Sequence, residues 1–397
     1  MNKRWVPLVA AITACASTEV LGTSGGSPDA PLGASDAGSP LDSAPPEIDA
    51  GPCEDCEYFP EVCAAGMFCP SGPFDPGLPG GAFDPRTLIV TVRGRSASDV
   101  WVAGALGAVA HFDGTSWRRS DLGASETLRG LWLRESSEIA IGLADTAFLE
   151  QHVYAHGPGA PDGGAPPSPA GWSRFTPPLP ADMFPDVVSA WAAPGAESSW
   201  IAIESVFNTK ESGVLRLRQT SPSGFEVQPG PASPCWPGCN EMKAVHGASA
   251  DDIWAVGAGG TTLRITEAES EAPSVKIYNS LTWNSLNGVW AASESEAWTV
   301  GANGTIRHFT GQSRDWDIVE EVPTNEHLNA VWGASDSDIW AVGDRGVVLH
   351  YDGKTWSRVK VAGLGAGRPK LTSVWAAGPE HVWIGGLGVV LSLRGAP

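Results

Sequence analysis

From residue 88 onward, short runs of alternating apolar and polar residues recur along the chain, each four to six residues long and bounded by Gly-rich turns, the pattern of half-buried β-strands. The clearest copy runs from Leu328 to Trp356, LNAVWGASDSDIWAVGDRGVVLHYDGKTW. Its alternation predicts strands over 328 to 332, 339 to 342, 347 to 351 and 355 to 359. Gly343-Asp344-Arg345-Gly346, Asp352-Gly353 and their counterparts Asn303-Gly304 and Asp113-Gly114 supply the positive-φ residues that tight hairpins need.

A second copy starts at Leu286, and another at Ile89 lacks the first Trp of the motif; further copies begin near Leu128, Val187, Met242 and Leu371, seven in all. The second Trp of the motif falls at Trp101, Trp200, Trp254, Trp298, Trp340 and Trp383, with Ala140 in its place in the second copy. The last four of these are 42 to 44 residues apart. Four strands and their turns consume about 40 residues, so each copy reads as one blade. The fold class is all-β: a seven-bladed β-propeller over 88 to 397, its paired Trp residues packing between blades. Copies two and three are degraded and wider apart, and the outer strand of copy four is open between 275–278 and Thr282-Trp283. The seventh copy stops without a fourth strand, and residues 81 to 85 are expected to supply it and close the ring.

Connections between blades vary in length, at 118 to 127, 176 to 186, 228 to 241, 317 to 327 and 360 to 370, while turns on the other face are short and regular. Variable loops on a rigid scaffold are where recognition resides, which places the binding face there. Its candidate residues are Glu204, Asn208 and Lys210 in an enlarged turn and Trp236, held in a short loop between Cys235 and Cys239. The Gly/Pro insertion from His156 to Gly171 falls on the opposite face.

Composition changes the picture at the N-terminus. Lys3 and Arg4, the apolar run Trp5 to Ala11 and Ile12-Thr13-Ala14-Cys15 form an export signal. Its tetrapeptide resembles the lipobox of bacterial lipoproteins, which implies that Cys15 is lipidated and, with Ala16 rather than Asp after it, that the protein is an outer-membrane lipoprotein of the cell envelope, periplasmic or surface-exposed. The alternative is an ordinary secretory signal cleaved near Ala16 or Ser17. With residues 1 to 15 as signal and lipobox, 16 to 52 read as a disordered Ser/Gly/Ala/Pro/Asp-rich tether, and 53 to 87 as a Cys-rich segment and linker. Between residues 16 and 87 twelve carboxylates face one base, Arg86, which keeps this arm solvated and extended. Seven Cys become six once Cys15 is set aside, so Cys53, Cys56, Cys63, Cys69, Cys235 and Cys239 are disulfide candidates, with a four-thiolate zinc site at Cys53 to Cys69 as the alternative. The formal charge of −20 and a pI of 4.7 leave no basic stripe, which excludes nucleic acid as a partner.

The turn Asp352-Gly353-Lys354-Thr355-Trp356, echoed at Asp113 to Trp117, resembles the Asp-box hairpin of sialidase-type propellers, without the Ser before the Asp and the residue between Asp and Gly. The order Val331-Trp332-Gly333, His350-Tyr351, Trp356 is similar to tectonin-type propeller lectins. Both resemblances imply fold more than chemistry, since the chain has four Tyr and no Phe-Arg-Ile-Pro segment of the sialidases. His111, His308 and His350 share one repeat position with Arg264, and Glu150 fills it in copy two; these read as polar blade-interface residues. Asp99, Asp251, Asp252, Asp336 and Asp338 read as turn acids accepting backbone N–H groups rather than as calcium ligands. The expectation is a monomeric, non-enzymatic exported scaffold that binds a glycan or a protein and carries no metal or cofactor. A propeller-type glycoside hydrolase or lyase, which needs paired carboxylates in the channel, and an envelope assembly factor are the alternatives.

Overall fold

The computed structural model describes residues 55–78, 81–142, 152–158, 166–179, 185–205, 213–221, 224–232 and 241–393. The expected signal, Cys15, the tether and Cys53 lie outside them, and so do Asn208, Lys210, Cys235, Trp236, Cys239 and Glu150. The compact unit, Cys53–Pro397, is a seven-bladed propeller of seven four-stranded antiparallel sheets. Innermost strands begin at Ile89, Leu128, Pro185, Met242, Leu286, Leu328 and Leu371, and each touches the next around a closed circle. Blade 6 shows the local logic: Leu328–Ser335, Asp338–Gly343, Val348–Tyr351 and Trp356–Arg358 follow one another outward. Between its second and third strands Arg345 (φ 53°) and Gly346 (φ 70°) make the left-handed turn that the sequence anticipates. In blade 4 the outer strand is Ser274–Asn279, so Thr282-Trp283 belongs to the connection that follows.

The motif's Trp residues bridge neighbouring blades. Trp254 of blade 4 meets Phe309 and Trp316 of blade 5 at 4.8 and 4.9 Å between ring centroids. Trp298 of blade 5 likewise meets Tyr351 and Trp356 of blade 6 at 4.9 and 5.6 Å. Edge-on and tilted contacts at these distances are the favoured geometry of aromatic pairs and stabilise each blade boundary beyond the area buried.

Ring closure differs from the sequence expectation. The fourth strand of blade 7 is Phe68–Pro70, paired antiparallel with Val389–Leu393, in place of residues 81 to 85. Register explains the choice. Phe68 lies opposite Leu393 just as Trp356 lies opposite Tyr351, so Phe68 occupies the position of the missing third Trp, fully buried against Trp340 of blade 6 at 5.4 Å. Pro70 is tolerated because an outermost strand needs no N–H on its free side. The strand is further tied down by a Cys63–Cys69 disulfide, and Cys56 is also disulfide-bonded, which removes these thiolates from any zinc site. Residues 81 to 85 instead pack beside the turn at Gly388, with Phe83 buried against Phe74.

The recurring acids and histidines form one repeated device. Asp99, Glu296 and Asp338 open the second strand of their blades and accept hydrogen bonds from the Nε2 of His111, His308 and His350 at 2.9, 2.7 and 2.7 Å. Each imidazole lies flat on the Trp of the adjoining strand, at 4.3, 4.0 and 4.0 Å. Arg264 replaces His in blade 4 and pairs with Asp252. Asp99, Asp252 and Asp338 thus serve a side chain rather than a turn N–H, whereas Asp251 accepts the N–H of Glu269 as anticipated. In blade 2 the register puts Tyr154 opposite Ala140, and Glu138 binds His156 two residues further on. Asp99 and Glu138 are also bridged by Arg95, which clasps blade 1 to blade 2. Burial works to raise both carboxyls, but their bonds to Arg95 and the two histidines outweigh it and hold them below the ordinary carboxylate range.

Candidate functional site

Every innermost strand slips register at its second motif residue: a β-bulge lets one side chain turn out of the ladder at Val90, Arg129, Val188, Lys243, Asn287, Asn329 and Thr372. Bulges re-aim side chains in this way. All seven line one cavity of 510 Å³ in the central channel. It opens on the face of the variable connections, because His327 and Lys370, which end two of those connections, also border it.

Three of these seven side chains are structural. Asn287 donates to the carbonyl of Leu328, Asn329 to that of Leu371 (2.9 and 2.8 Å), and Thr372 to that of Ile89, each side chain stitching its blade to the next and the last stitch crossing from blade 7 to blade 1. The other four, Val90, Arg129, Val188 and Lys243 in blades 1 to 4, make no such stitch among the described residues. Lys243 pairs with Glu204, the sequence candidate that the structure describes, so Glu204 stands at the channel mouth.

Three residues meet across the channel and give the cavity a floor. At the fifth motif position five blades carry Trp, while blades 1 and 4 carry Arg93 and His246. The Arg93 guanidinium lies over Trp332 of blade 6 at 4.9 Å, and Trp332 meets the His246 ring edge-on at 5.0 Å. Burial lowers the Arg93 guanidinium to about 10. Burial, and secondarily the charge of Arg93, pushes His246 well below its ordinary value. A neutral His246 fits its surroundings, since Nδ1 accepts the N–H of Ala291 at 3.1 Å.

On the same face as the mouth, the connection from blade 4 to blade 5 presents Trp283, 91% exposed, close in sequence to the exposed Leu281. The loop is held firmly. Leu281 sits at φ 53°, a conformation that costs a residue with a Cβ about 1–2 kcal/mol. Arg307, itself buried, donates to the carbonyls of Ser280 and Leu281, and Asn284 donates to Ala302, which lines the cavity. Trp236, the aromatic anchor expected from the sequence, lies outside the described residues; alternation leaves Trp283 open as part of an outer strand, which conceals its exposure.

A second cavity, of 490 Å³, lies between blades 5 and 6 and is bordered by Trp298, Tyr351 and Trp356. Its Trp faces are already covered, that of Trp298 by His308, so these rings offer no open platform to a sugar. The channel's two carboxylates, Glu204 and Asp344, come from blades 3 and 6 and each faces a lysine, at 3.9 Å for Asp344 and Lys370. Among the described residues no group of three His, Cys, Asp or Glu side chains is placed to hold a metal ion, and no helix is long and apolar enough to cross a membrane.

No family model and no curated protein matches the chain. Solved structures do. The structure described as YCF48 bound to D1 peptide is 13% identical, with a TM-score of 0.56 over 85% of this chain and 97% of that one. YCF48 from Cyanidioschyzon merolae is 14% identical, with a TM-score of 0.55 over 78% and 96%. The WD40 propeller domain of Doa1 is 12% identical, with a TM-score of 0.53 over 77% and 91%. At such identities the likeness is one of fold: the chain belongs among β-propellers, in the seven-bladed class.

Proposed function

We propose that this propeller is a non-enzymatic binding scaffold that docks an extended segment of a partner protein across its channel mouth. The observation that carries the reading is the floored 510 Å³ cavity, ringed by bulge-directed side chains on the face of the variable connections, with the rigidly held, exposed Trp283 on that same face. Exposed aromatic rings on fixed loops are the usual energetic anchors of protein interfaces. A solved structure of similar fold with a bound peptide supports a peptide rather than a glycan as the ligand. Peptides selected from a random display library against the full chain are expected to lose affinity by about 30-fold in Trp283→Ala, the effect of one central aromatic anchor, with the melting temperature unchanged. Failure to select any peptide, or unchanged affinity in the variant, would sink the proposal.

The place of action is read from the N-terminal sequence. Lipidation of Cys15 would hold the scaffold at the outer membrane by an acyl anchor. Cys15→Ser should abolish incorporation of a palmitate label in cells and release the protein from the membrane fraction; labelling that persists in the variant would refute the anchor.

A further inference from the structure

Four cations, Arg93, Arg129, Lys243 and Lys370, border the channel cavity, against two carboxylates. Both carboxylates are engaged, Glu204 by Lys243 and Asp344 by Lys370 and Asn329. Among the described residues, the two arginines therefore face the cavity without a counter-ion. Arg93 donates only to the carbonyl of its neighbour Val92 and leans on Trp332. Arg129 makes no hydrogen bond or ion pair with a described residue, and its Nε–H is buried and unsatisfied.

Elsewhere Arg95, Arg218 and Arg264 each meet a carboxylate, and the buried Arg216 and Arg307, which do not, are each bound by carbonyls of another segment. A half-buried cation left unpaired is still costly, and the rest of a chain of net charge −20 supplies abundant carboxylates that could have quenched it. Leaving Arg93 and Arg129 unquenched in adjacent blades, inside a cavity of ligand size, is the arrangement of a site completed by an anion from outside. A guanidinium in a low-dielectric recess is a forked donor suited to a planar carboxylate or to a phosphate. The cation–π contact with Trp332 fixes Arg93 at the floor, and the bulge directs Arg129 inward at the mouth, so an anion entering the channel meets the second before the first.

We infer that the channel cavity is an anion subsite, in which Arg129 and Arg93 receive a carboxylate or phosphate group. It rests on the docking reading in sharing the mouth, and it specifies that the docked segment inserts an anionic group. The shared chemistry leaves two sources, a peptide carboxylate or a phosphate ester, which small probes separate.

The test is equilibrium dialysis of the full chain against radiolabelled succinate and, separately, inorganic phosphate, in chloride-free buffer of low ionic strength. One-to-one saturable binding of at least one probe is expected, weakened at least about tenfold in Arg129→Gln, the loss of one charged pair. It should be unchanged in Arg118→Gln, whose side chain is exposed on the outer strand of blade 1. The probe that binds more tightly assigns the source. Should the Gln variant fail to melt cooperatively, Arg129→Lys answers the same question by keeping the charge and losing the fork. Absence of saturable binding to the native chain, or binding retained in the Arg129 variant, overturns the subsite. Because these probes carry no peptide, that result leaves the docking of a peptide beside Trp283 standing.

Discussion

Phe68→Ala is expected to destabilise the propeller by about 3–5 kcal/mol, the range for truncating a fully buried aromatic ring. The ring is shielded from solvent by Trp340 and the surrounding residues of blades 6 and 7, including Val342, Val348, Val361 and Leu391. Its loss opens a void where the circle closes, and neighbouring blades cannot relax into it without breaking the pairing of Phe68–Pro70 with Val389–Leu393. The effect is therefore larger than a three-residue strand suggests. Urea melts of the variant beside Val62→Ala provide the measurement, because Val62 is 78% exposed in the same segment and its truncation should cost no more than about 0.5 kcal/mol. Equal midpoints for the two variants would show that closure does not depend on Phe68.

Trp254→Ala should cost a comparable amount, about 3–5 kcal/mol, at the opposite side of the ring. Trp254 is fully buried and contacts Tyr278, Phe309 and Trp316, with Arg264 over its ring at 5.5 Å. Its indole N–H has no acceptor among the described residues, so its truncation breaks no hydrogen bond, and the whole loss is packing, within blade 4 and against blade 5. Trp254→Phe restores part of the volume and should recover a corresponding part of the stability. Thermal melting of the two variants measures both effects; a full-strength loss in the Phe variant would point to the N–H instead of the ring.

The seven blades were legible because a 3.3 Å rise and tight turns impose a period on the sequence, and the spacing of Trp254, Trp298, Trp340 and Trp383 displays it. The closing strand was not. Phe68-Cys69-Pro70 is too short to show alternation and contains a proline, and only its register against Leu393 makes it a strand. The channel site was hidden by the bulges, since strict alternation sends Arg129 and Lys243 to the wrong side of their strands. One signal was present: among seven copies, those lacking the first Trp carry Arg93 and His246, and both residues reach the channel floor. Exposure of Trp283 depends on the anchoring of its loop by Arg307 and Asn284, contacts that join residues from different blades' strands and leave no trace in local pattern.

The placement of the closing strand near the N-terminal end of the propeller sets how tension is borne. A pull on the chain before residue 55 first loads Asp55, whose carboxylate pairs with Arg358 at 3.4 Å, and then the segment 58–60, whose carbonyls at Tyr58 and Pro60 accept the N–H groups of Val361 and Gly363 in the stretch that leaves blade 6. Beyond Cys63 the load crosses the disulfide directly to Cys69, bypassing the residues between. The covalent loop keeps Phe68 out of the line of force, and the fastening at 58–60 must be peeled before the closing strand is sheared.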